Sequence, residues 1–269
     1  MPGDDVGFDR ERVRTLLVPV MREAGALALK TFRQQPKSWI KGKSSPVTEA
    51  DLAVNALLSE RLLAIQDAGW LSEETEDDLR RLERRVVWVV DPIDGTRAYL
   101  AGSPDWAISV ALVSSGRPIA AALYAPVTDE MFLSAAGSGA TLNGAHIHAS
   151  RDEEIAGATF SGAKRRLESL AVIEPRIEPA ARVPSLALRL ARVASGALDG
   201  TFAAPNSCDW DLAAADLLVH EAGGALTTLT GELLIYNRPD PVHPALLGAG
   251  CRRHAVLLRL IRDRLAEFA

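Results

Sequence analysis

A chain of 269 residues with 48% hydrophobic residues is long enough for one large domain or two modest ones around a substantial apolar core. Its formal net charge of −5 argues against a general nucleic-acid-binding protein, which normally carries a basic face. Only Cys208 and Cys251 are present, so a disulfide framework is excluded and reduced thiols are expected. The acidic N-terminus does not resemble a signal peptide, and no long apolar run predicts a membrane span. The sequence therefore predicts a cytoplasmic protein without a membrane partner.

Two helices are predicted at the start of the chain. Apolar residues recur at helical spacing over residues 10–32, where Pro19 predicts a kink or a late start. A second helix is expected to begin at Thr48, because residues 48–51 (Thr-Glu-Ala-Asp) match a capping box. Apolar residues then continue along one face as far as Ile65.

A sheet is predicted next. The wholly apolar run 86–90 is typical of a buried strand. Alternating segments separated by turn residues follow it near residues 108–112, 119–123 and 131–133. This pattern indicates an antiparallel meander.

The pattern changes beyond about residue 155. Strands are predicted near 158–160, 201–202 and 245–249, with helices near 185–195, 211–222 and at the C-terminal end. A boundary near residue 150 therefore divides the chain into an α+β half (1–150) and an α/β half (151–269). The predicted fold class is mixed α+β and α/β, with helices covering two sheets.

The main candidate for chemistry follows the apolar strand directly, at residues 91–96 (Asp-Pro-Ile-Asp-Gly-Thr). Asp91 and Asp94 lie where Pro and Gly turn the chain, so their carboxylates could point at one metal ion or bridge two. Gly95 and Thr96 open a segment whose backbone N–H groups could hold a phosphate. The alternative is a capped turn, in which both carboxylates only satisfy backbone donors.

Two further acidic motifs favour the metal interpretation. Glu73 and Glu74 end an apolar stretch, although a solvated charge run remains the preferred interpretation for Glu74. Asp211 follows Trp210 at the predicted start of a helix, where the alternative is an N-cap. An N-cap explains an aspartate at this position but not its combination with the other two motifs.

Together these motifs resemble those of the inositol monophosphatase superfamily, the lithium-sensitive, magnesium-dependent phosphatases. The resemblance covers nearly the whole chain. It is carried by residues 45–51, 71–74, 88–96, 116–118, 124–126, 210–211 and 221–224. The resemblance implies a layered αβαβα sandwich and a homodimer.

The resemblance also implies a metal site. Glu73, Asp91 and the Ile93 carbonyl would hold a first ion, and Asp91, Asp94 and Asp211 a second. Converging carboxylates repel by roughly 4 kcal/mol per close pair at an effective dielectric constant of 20, and cations remove that repulsion. Oxygen ligands without His or Cys favour Mg²⁺, with Mn²⁺ as an alternative, at two or three ions per site.

Catalytic and substrate-binding residues follow from the same resemblance. Asp51 and Thr96, assisted by Glu73, match the residues that activate the attacking water. The substrate, a small phosphorylated metabolite, would contact Asp94, Gly95, Thr96, Arg97, Ser185, Arg189 and Asp211.

The substrate motifs look most similar to the 3′(2′),5′-bisphosphate nucleotidase branch, which acts on adenosine 3′,5′-bisphosphate in sulfur assimilation. Ala204 stands where the inositol branch has an acidic residue that binds ring hydroxyls. Lys43 and Arg189 would suit a second phosphate, although a solvated surface cation is the preferred interpretation of each alone. Arg97, beside the metal motif, is the better candidate to face the substrate.

Two alternatives stay open. One is an inositol-1-phosphate or sugar-phosphate phosphatase. The other is a non-catalytic relative that acts as a protein- or RNA-binding regulator, against which the intact acidic set and the negative net charge argue.

Overall fold

The computed structural model describes residues 9–34, 36–41 and 45–268. Over these ranges the α-helices are α1 (Arg10–Leu29), α2 (Glu49–Ile65), α3 (Thr96–Leu100), α4 (Lys164–Ile173), α5 (Leu186–Ala194), α6 (Asp209–Glu221), α7 (Cys251–Ile261) and α8 (Leu265–Phe268). Short 3₁₀ helices occupy Arg80–Glu83 and Arg262–Arg264.

The strands of the first half are β1 (Ser38–Lys41), β2 (Ser45–Thr48), β3 (Gly69–Ser72), β4 (Val86–Asp94), β5 (Ala107–Ser114), β6 (Arg117–Ala125), β7 (Glu130–Ala135), β8 (Ala140–Leu142) and β9 (Ala145–Ile147). Those of the second half are β10 (Thr159–Ser161), β11 (Glu178–Pro179), β12 (Gly200–Ala203), β13 (Ser207–Cys208), β14 (Gly224–Thr228), β15 (Val242–His243) and β16 (Leu246–Gly250).

The larger sheet has seven strands in the order β3-β4-β5-β6-β7-β8-β9. From β4 to β9 each strand pairs antiparallel with the next, which confirms the predicted meander. The edge strand β3 instead pairs parallel with β4, with Leu71 opposite Val89. This pairing brings the chain that follows β3 beside the end of β4, where the acidic motif lies.

The smaller sheet has five strands in the order β11-β10-β12-β16-β14. The predicted strands near 158–160, 201–202 and 245–249 correspond to β10, β12 and β16. Helix α4 and strand β14 were not predicted.

The helices and the two sheets alternate in layers. Helices α1 and α2 pack on one face of the large sheet, and α5 and α6 lie between the two sheets. Helices α4, α7 and α8 cover the outer face of the small sheet. The predicted layered α+β fold is confirmed, and the core between the sheets draws residues from both sides of residue 150.

Local sequence signals explain the first two helices. Asp9 caps α1 by accepting a 2.9 Å hydrogen bond from the Arg12 N–H. Pro19 lies inside α1, so the predicted late start is wrong. Helix α2 begins with the predicted capping box, in which Thr48 and Asp51 bond each other reciprocally. Within the described ranges, no helix combines the length and apolar character needed to cross a membrane.

Candidate active site

A cavity of about 350 Å³ lies where the ends of β3 and β4 meet the start of α6. Its walls are formed by Pro46, Glu73, Asp91, Asp94, Gly95, Thr96, Arg97, Arg182, Pro184 and Asp211. This volume is in the range that suits a small-molecule ligand. The cavity therefore collects the acidic motifs that the sequence singled out from three distant segments.

A register shift in β4 explains how Asp91 and Asp94 reach the same cavity. Side chains alternate between the faces of a regular strand, so residues three apart point to opposite faces. The pairing of β4 with β5 is irregular here, because Asp91 pairs with Ser109 and Asp94 pairs with Ala107. An advance of three residues along β4 therefore corresponds to only two residues along β5. The extra residue of this bulge changes the alternation, so the Asp91 and Asp94 side chains point to the same face of the sheet.

Asp91 is buried within β4. Its side chain is 1% exposed, and Oδ1 accepts a 2.9 Å hydrogen bond from the Ile93 N–H. Among the described residues, its buried Oδ2 has no hydrogen-bond partner. Burial raises the pKa of Asp91 well above its usual range, and the negative charge of Glu73 raises it further. An unpaired carboxylate oxygen in such surroundings fits a bound cation.

Asp94 is held from the second half of the chain. Its Oδ2 accepts 2.6 Å hydrogen bonds from Ser185 Oγ and from the Ala187 N–H. Burial raises the pKa of Asp94, while these hydrogen bonds act in the opposite direction. The N-terminus of α5 therefore fixes the orientation of this carboxylate.

Asp211 is not the N-cap of α6, so that alternative is wrong. Cys208 occupies the N-cap position, and Asp211 Oδ2 accepts a 2.7 Å hydrogen bond from the Cys208 N–H. Ser109 lies opposite Asp91 in the sheet, and its Oγ donates to the Trp210 carbonyl at 3.1 Å. This contact ties the first turn of α6 to the strand beside the Asp91 strand.

The three aspartates form a cluster that could hold a metal ion. One carboxylate oxygen from each of Asp91, Asp94 and Asp211 lies within 4.8 Å of the others. Burial and the charge of Asp94 raise the pKa of Asp211. Because the donors are all oxygens and repel one another, the set fits a hard divalent cation.

The other predicted catalytic residues surround this cluster. Glu73 lines the cavity, and its N–H donates to the Val90 carbonyl at 3.3 Å. Thr96 also lines it, and its Oγ1 donates to the Ile93 carbonyl at 3.2 Å. Asp51 is 1% exposed, and burial raises its pKa to about 6. Its charge also contributes to the raised pKa of Asp91, which places Asp51 near the cluster.

Two predicted substrate contacts need correction. Ser185 is fully buried and donates to Asp94, so it supports a carboxylate behind the cavity wall. Arg189 is 8% exposed and donates to the Val183 and Phe202 carbonyls, so it is not a solvated surface cation. Burial lowers the pKa of Arg189 to about 10, while Asp94 raises it. Its charge therefore acts on Asp94 from inside the protein, and the cavity is lined by other residues.

Arg182 also lines the cavity, although no sequence motif marks it. It is exposed, and Ser161 Oγ contacts both of its neighbours, donating to the Ala181 carbonyl at 3.0 Å and accepting from the Val183 N–H at 3.3 Å. Arg97 lines the same cavity, as predicted from its place beside the metal motif. Lys43 lies outside the described residues.

Comparison with known proteins identifies relatives of the whole domain. A sequence model described as the inositol monophosphatase family matches residues 9–264. Nus factor SuhB of Xylella fastidiosa is 32% identical over 228 residues, which cover 80% of this chain and 82% of that protein. Inositol-1-monophosphatase of Rhizobium meliloti is 30% identical over 234 residues, or 82% of this chain and 87% of that protein.

A solved structure with the same fold supports these matches. The extragenic suppressor protein suhB from Bartonella henselae superposes with a TM-score of 0.83 at 27% identity, covering 94% of this chain and 99% of that one. Fold, carboxylate cluster and relatives together define a metal-dependent phosphoric monoester hydrolase. The chain belongs to the inositol monophosphatase family.

Proposed function

We propose that the protein is a Mg²⁺-dependent phosphomonoesterase that releases phosphate from a small metabolite carrying a second anionic group. The observation that carries the proposal is the cluster of Asp91, Asp94 and Asp211 at a cavity that two arginines, Arg97 and Arg182, also line. Carboxylates suit a hard cation, and guanidinium groups suit phosphate oxygens. The cavity therefore combines carboxylates that could hold a cation with guanidinium groups that could bind phosphate.

Each acidic residue has a place in this proposal. Asp91, Asp94, Asp211 and Glu73, with the Ile93 carbonyl, would hold the Mg²⁺ ions. When bound, such ions supply an activated water and neutralise the leaving oxygen. Mn²⁺ satisfies the same oxygen donors and is expected to substitute.

The remaining residues of the chain would position the water and the phosphate. Thr96 and Asp51 are the proposed groups that orient the attacking water and take its proton. The raised pKa of Asp51, about 6, suits a proton acceptor near neutral pH. Backbone N–H groups of Gly95 and Thr96, both at the cavity wall, are proposed to bind the phosphoryl oxygens.

The second anionic group selects the substrate. Adenosine 3′,5′-bisphosphate is the first candidate, because Arg97 and Arg182 lie at the cavity and Ala204 offers no side-chain partner for ring hydroxyls. Arg182 takes the place that the sequence analysis gave to Arg189. The proposed products are AMP and inorganic phosphate.

A phosphate-release panel tests the proposal. The substrates are adenosine 3′,5′-bisphosphate, inositol 1-phosphate, fructose 1,6-bisphosphate and histidinol phosphate, each with Mg²⁺. The proposal predicts a kcat/KM for the adenosine bisphosphate at least about tenfold above that for inositol 1-phosphate, equivalent to about 1.4 kcal/mol. Equal or faster turnover of inositol 1-phosphate would overturn this substrate assignment.

Two other functions are each favoured by one observation. Hydrolysis of inositol 1-phosphate is favoured by the Rhizobium meliloti relative, which is named for that activity. A regulatory role that requires no catalysis is favoured by the Xylella fastidiosa relative, which is named a Nus factor. The substrate panel separates the first from the main proposal, and absence of turnover on every substrate would favour the second. A homodimer in the cytoplasm stays a prediction for either.

A further inference from the structure

Arg81 is a buried arginine outside the cavity, at the start of the 3₁₀ helix Arg80–Glu83. Its side chain is 1% exposed. The guanidinium donates to both oxygens of Asp77, at 2.7 to 3.1 Å, and to Asn237 Oδ1 at 2.6 Å. It also donates to the Arg238 carbonyl at 3.0 Å. One side chain therefore joins two segments that are 156 residues apart.

The first of these segments carries Glu73. Asp77 lies four residues after Glu73, in the chain that leaves β3 for the 3₁₀ helix. Gly69 of β3 lets that helix approach closely, because a Cβ there would lie 3.0 Å from the Arg81 Cα and Cβ. The Asp77–Arg81 pair therefore fixes the far end of the loop that Glu73 begins.

The second segment leads to Asp211. The Asn237 backbone N–H donates to Asp209 Oδ2 at 2.7 Å. Asp209 is fully buried in the first turn of α6, two residues before Asp211, and its Oδ1 lies 2.7 Å from His243 Nε2. Asn237 adopts a positive φ of 57°, a conformation that Asn tolerates better than most residues. It thereby contacts Arg81 with its side chain and Asp209 with its backbone.

We infer that Arg81 is a positioning residue that sets the separation between Glu73 and Asp211, and so the affinity of the site for Mg²⁺. The inference rests on the proposed metal site. The contacts run from Asp77 through Arg81 and Asn237 to Asp209. Groups that hydrogen-bond a metal ligand directly typically change metal affinity about 10- to 100-fold when they are removed. Arg81 is connected to the ligands through other residues, so we expect an effect at the lower end of this range.

The test measures metal binding without substrate. Mg²⁺ is titrated calorimetrically into chelator-treated wild-type and Arg81→Lys protein, because lysine keeps the charge but loses the planar fork. The matched control is Arg253→Lys. Arg253 is also a buried arginine, and it bonds Asp199, Ser150 and the Glu154 carbonyl, away from the cavity.

We expect Arg81→Lys to raise the Mg²⁺ dissociation constant about tenfold, and Arg253→Lys to change it less than about twofold at a similar loss in Tm. Excess Mg²⁺ should restore most of kcat in Arg81→Lys. Equal Mg²⁺ affinity in Arg81→Lys and wild type would overturn the inference, as would equal weakening in both variants.

A milder variant keeps the test decisive if Arg81→Lys does not fold. Asn237→Gly removes the acceptor of Arg81 but keeps the backbone N–H that bonds Asp209, and glycine accepts the positive φ. Its control is Asn143→Gly, since Asn143 also has a positive φ and accepts from the Met131 N–H. Asn237→Gly should weaken Mg²⁺ binding at least threefold, and Asn143→Gly should not. Wild-type protein that binds no Mg²⁺ would instead contradict the proposed function itself.

Discussion

Ser185 donates a 2.6 Å hydrogen bond to the Asp94 carboxylate, which lies 91 residues earlier in the chain. Ser185 is also the N-cap of α5, where its Oγ accepts from the Leu188 N–H at 3.0 Å. The N-terminus of one helix in the second half of the chain thus orients a carboxylate at the end of β4. Because Asp94 Oδ2 is fully engaged with Ser185 and Ala187, the carboxylate is held in one orientation toward the cavity.

Ser185→Ala tests this support. The variant loses the hydrogen bond to Asp94, so we expect kcat/KM at fixed Mg²⁺ to fall about tenfold. Loss of the N-cap should also lower the free energy of unfolding by about 1 kcal/mol. Asp9→Ala removes the N-cap of α1 and serves as the control for stability. An equal fall in activity in both variants would mean that Ser185 acts only through stability.

Asp91→Asn should abolish phosphate release while stabilising the metal-free protein. Asparagine keeps an oxygen for the Ile93 N–H but removes the charge that burial and Glu73 disfavour. The folded pKa of Asp91 is raised, so its stability contribution is intact below the unfolded pKa of about 3.9 and is lost as the pH rises through the folded pKa. The gain in Tm on Asp91→Asn, measured in chelator, should therefore be larger at pH 7.5 than at pH 4.5. A lower Tm for the variant at pH 7.5 would contradict this account.

Glu73 and Glu74 are neighbours with different expected roles. Glu73 lines the cavity, whereas Glu74 is absent from its walls and its N–H donates to Ser72 Oγ at 3.3 Å. We expect Glu73→Gln to reduce kcat/KM about a hundredfold or more, equivalent to about 2.7 kcal/mol. Glu74→Gln should stay within about threefold of wild type, a change below 1 kcal/mol. The reverse order in steady-state kinetics would show that the wrong glutamate was assigned to the metal.

Arg97 and Arg182 should determine substrate preference. If each contacts a second phosphate, replacing either with Ala should lower kcat/KM for adenosine 3′,5′-bisphosphate about tenfold. The same variants should change kcat/KM for adenosine 3′-monophosphate, which keeps the scissile phosphate but lacks the second one, less than about threefold. Arg165→Ala is the control, because Arg165 is exposed on α4 and lies outside the cavity walls. An equal loss on both substrates would mean that the arginines do not read the second phosphate.

Much of the fold could be predicted because its signals are local. The capping box of Thr48 and Asp51 and the alternation from β5 to β7 depend on residues close in sequence. The acidic motifs were also visible, since Asp91 and Asp94 lie within one short segment. What could not be predicted was their common orientation, which depends on a register shift between β4 and β5.

The supporting residues of the site depend on contacts between distant segments. Ser185 is the N-cap of the apolar helix α5, and Arg189 lies within it. The helix sequence alone does not show which of its faces the two sheets cover. Their side chains therefore meet backbone groups and Asp94 inside the protein. Arg81 stands in a charged segment that is typical of a solvated surface, so no local pattern distinguishes it from its neighbours. Arg182 stands between small and apolar residues, outside every acidic motif, so the sequence gives no reason to place it at the cavity.

The most direct measurement is phosphate release by chelator-treated protein as Mg²⁺ is added back, with adenosine 3′,5′-bisphosphate and inositol 1-phosphate as parallel substrates. The carboxylate cluster predicts no turnover in excess chelator and recovery of turnover with Mg²⁺. Ca²⁺ should not restore turnover, because its coordination geometry is looser than phosphoryl transfer requires. Asp91→Asn should stay inactive throughout. Full turnover in excess chelator, or Mg²⁺-dependent turnover by Asp91→Asn equal to wild type, would contradict the assignment of this cluster as the metal-dependent phosphatase site.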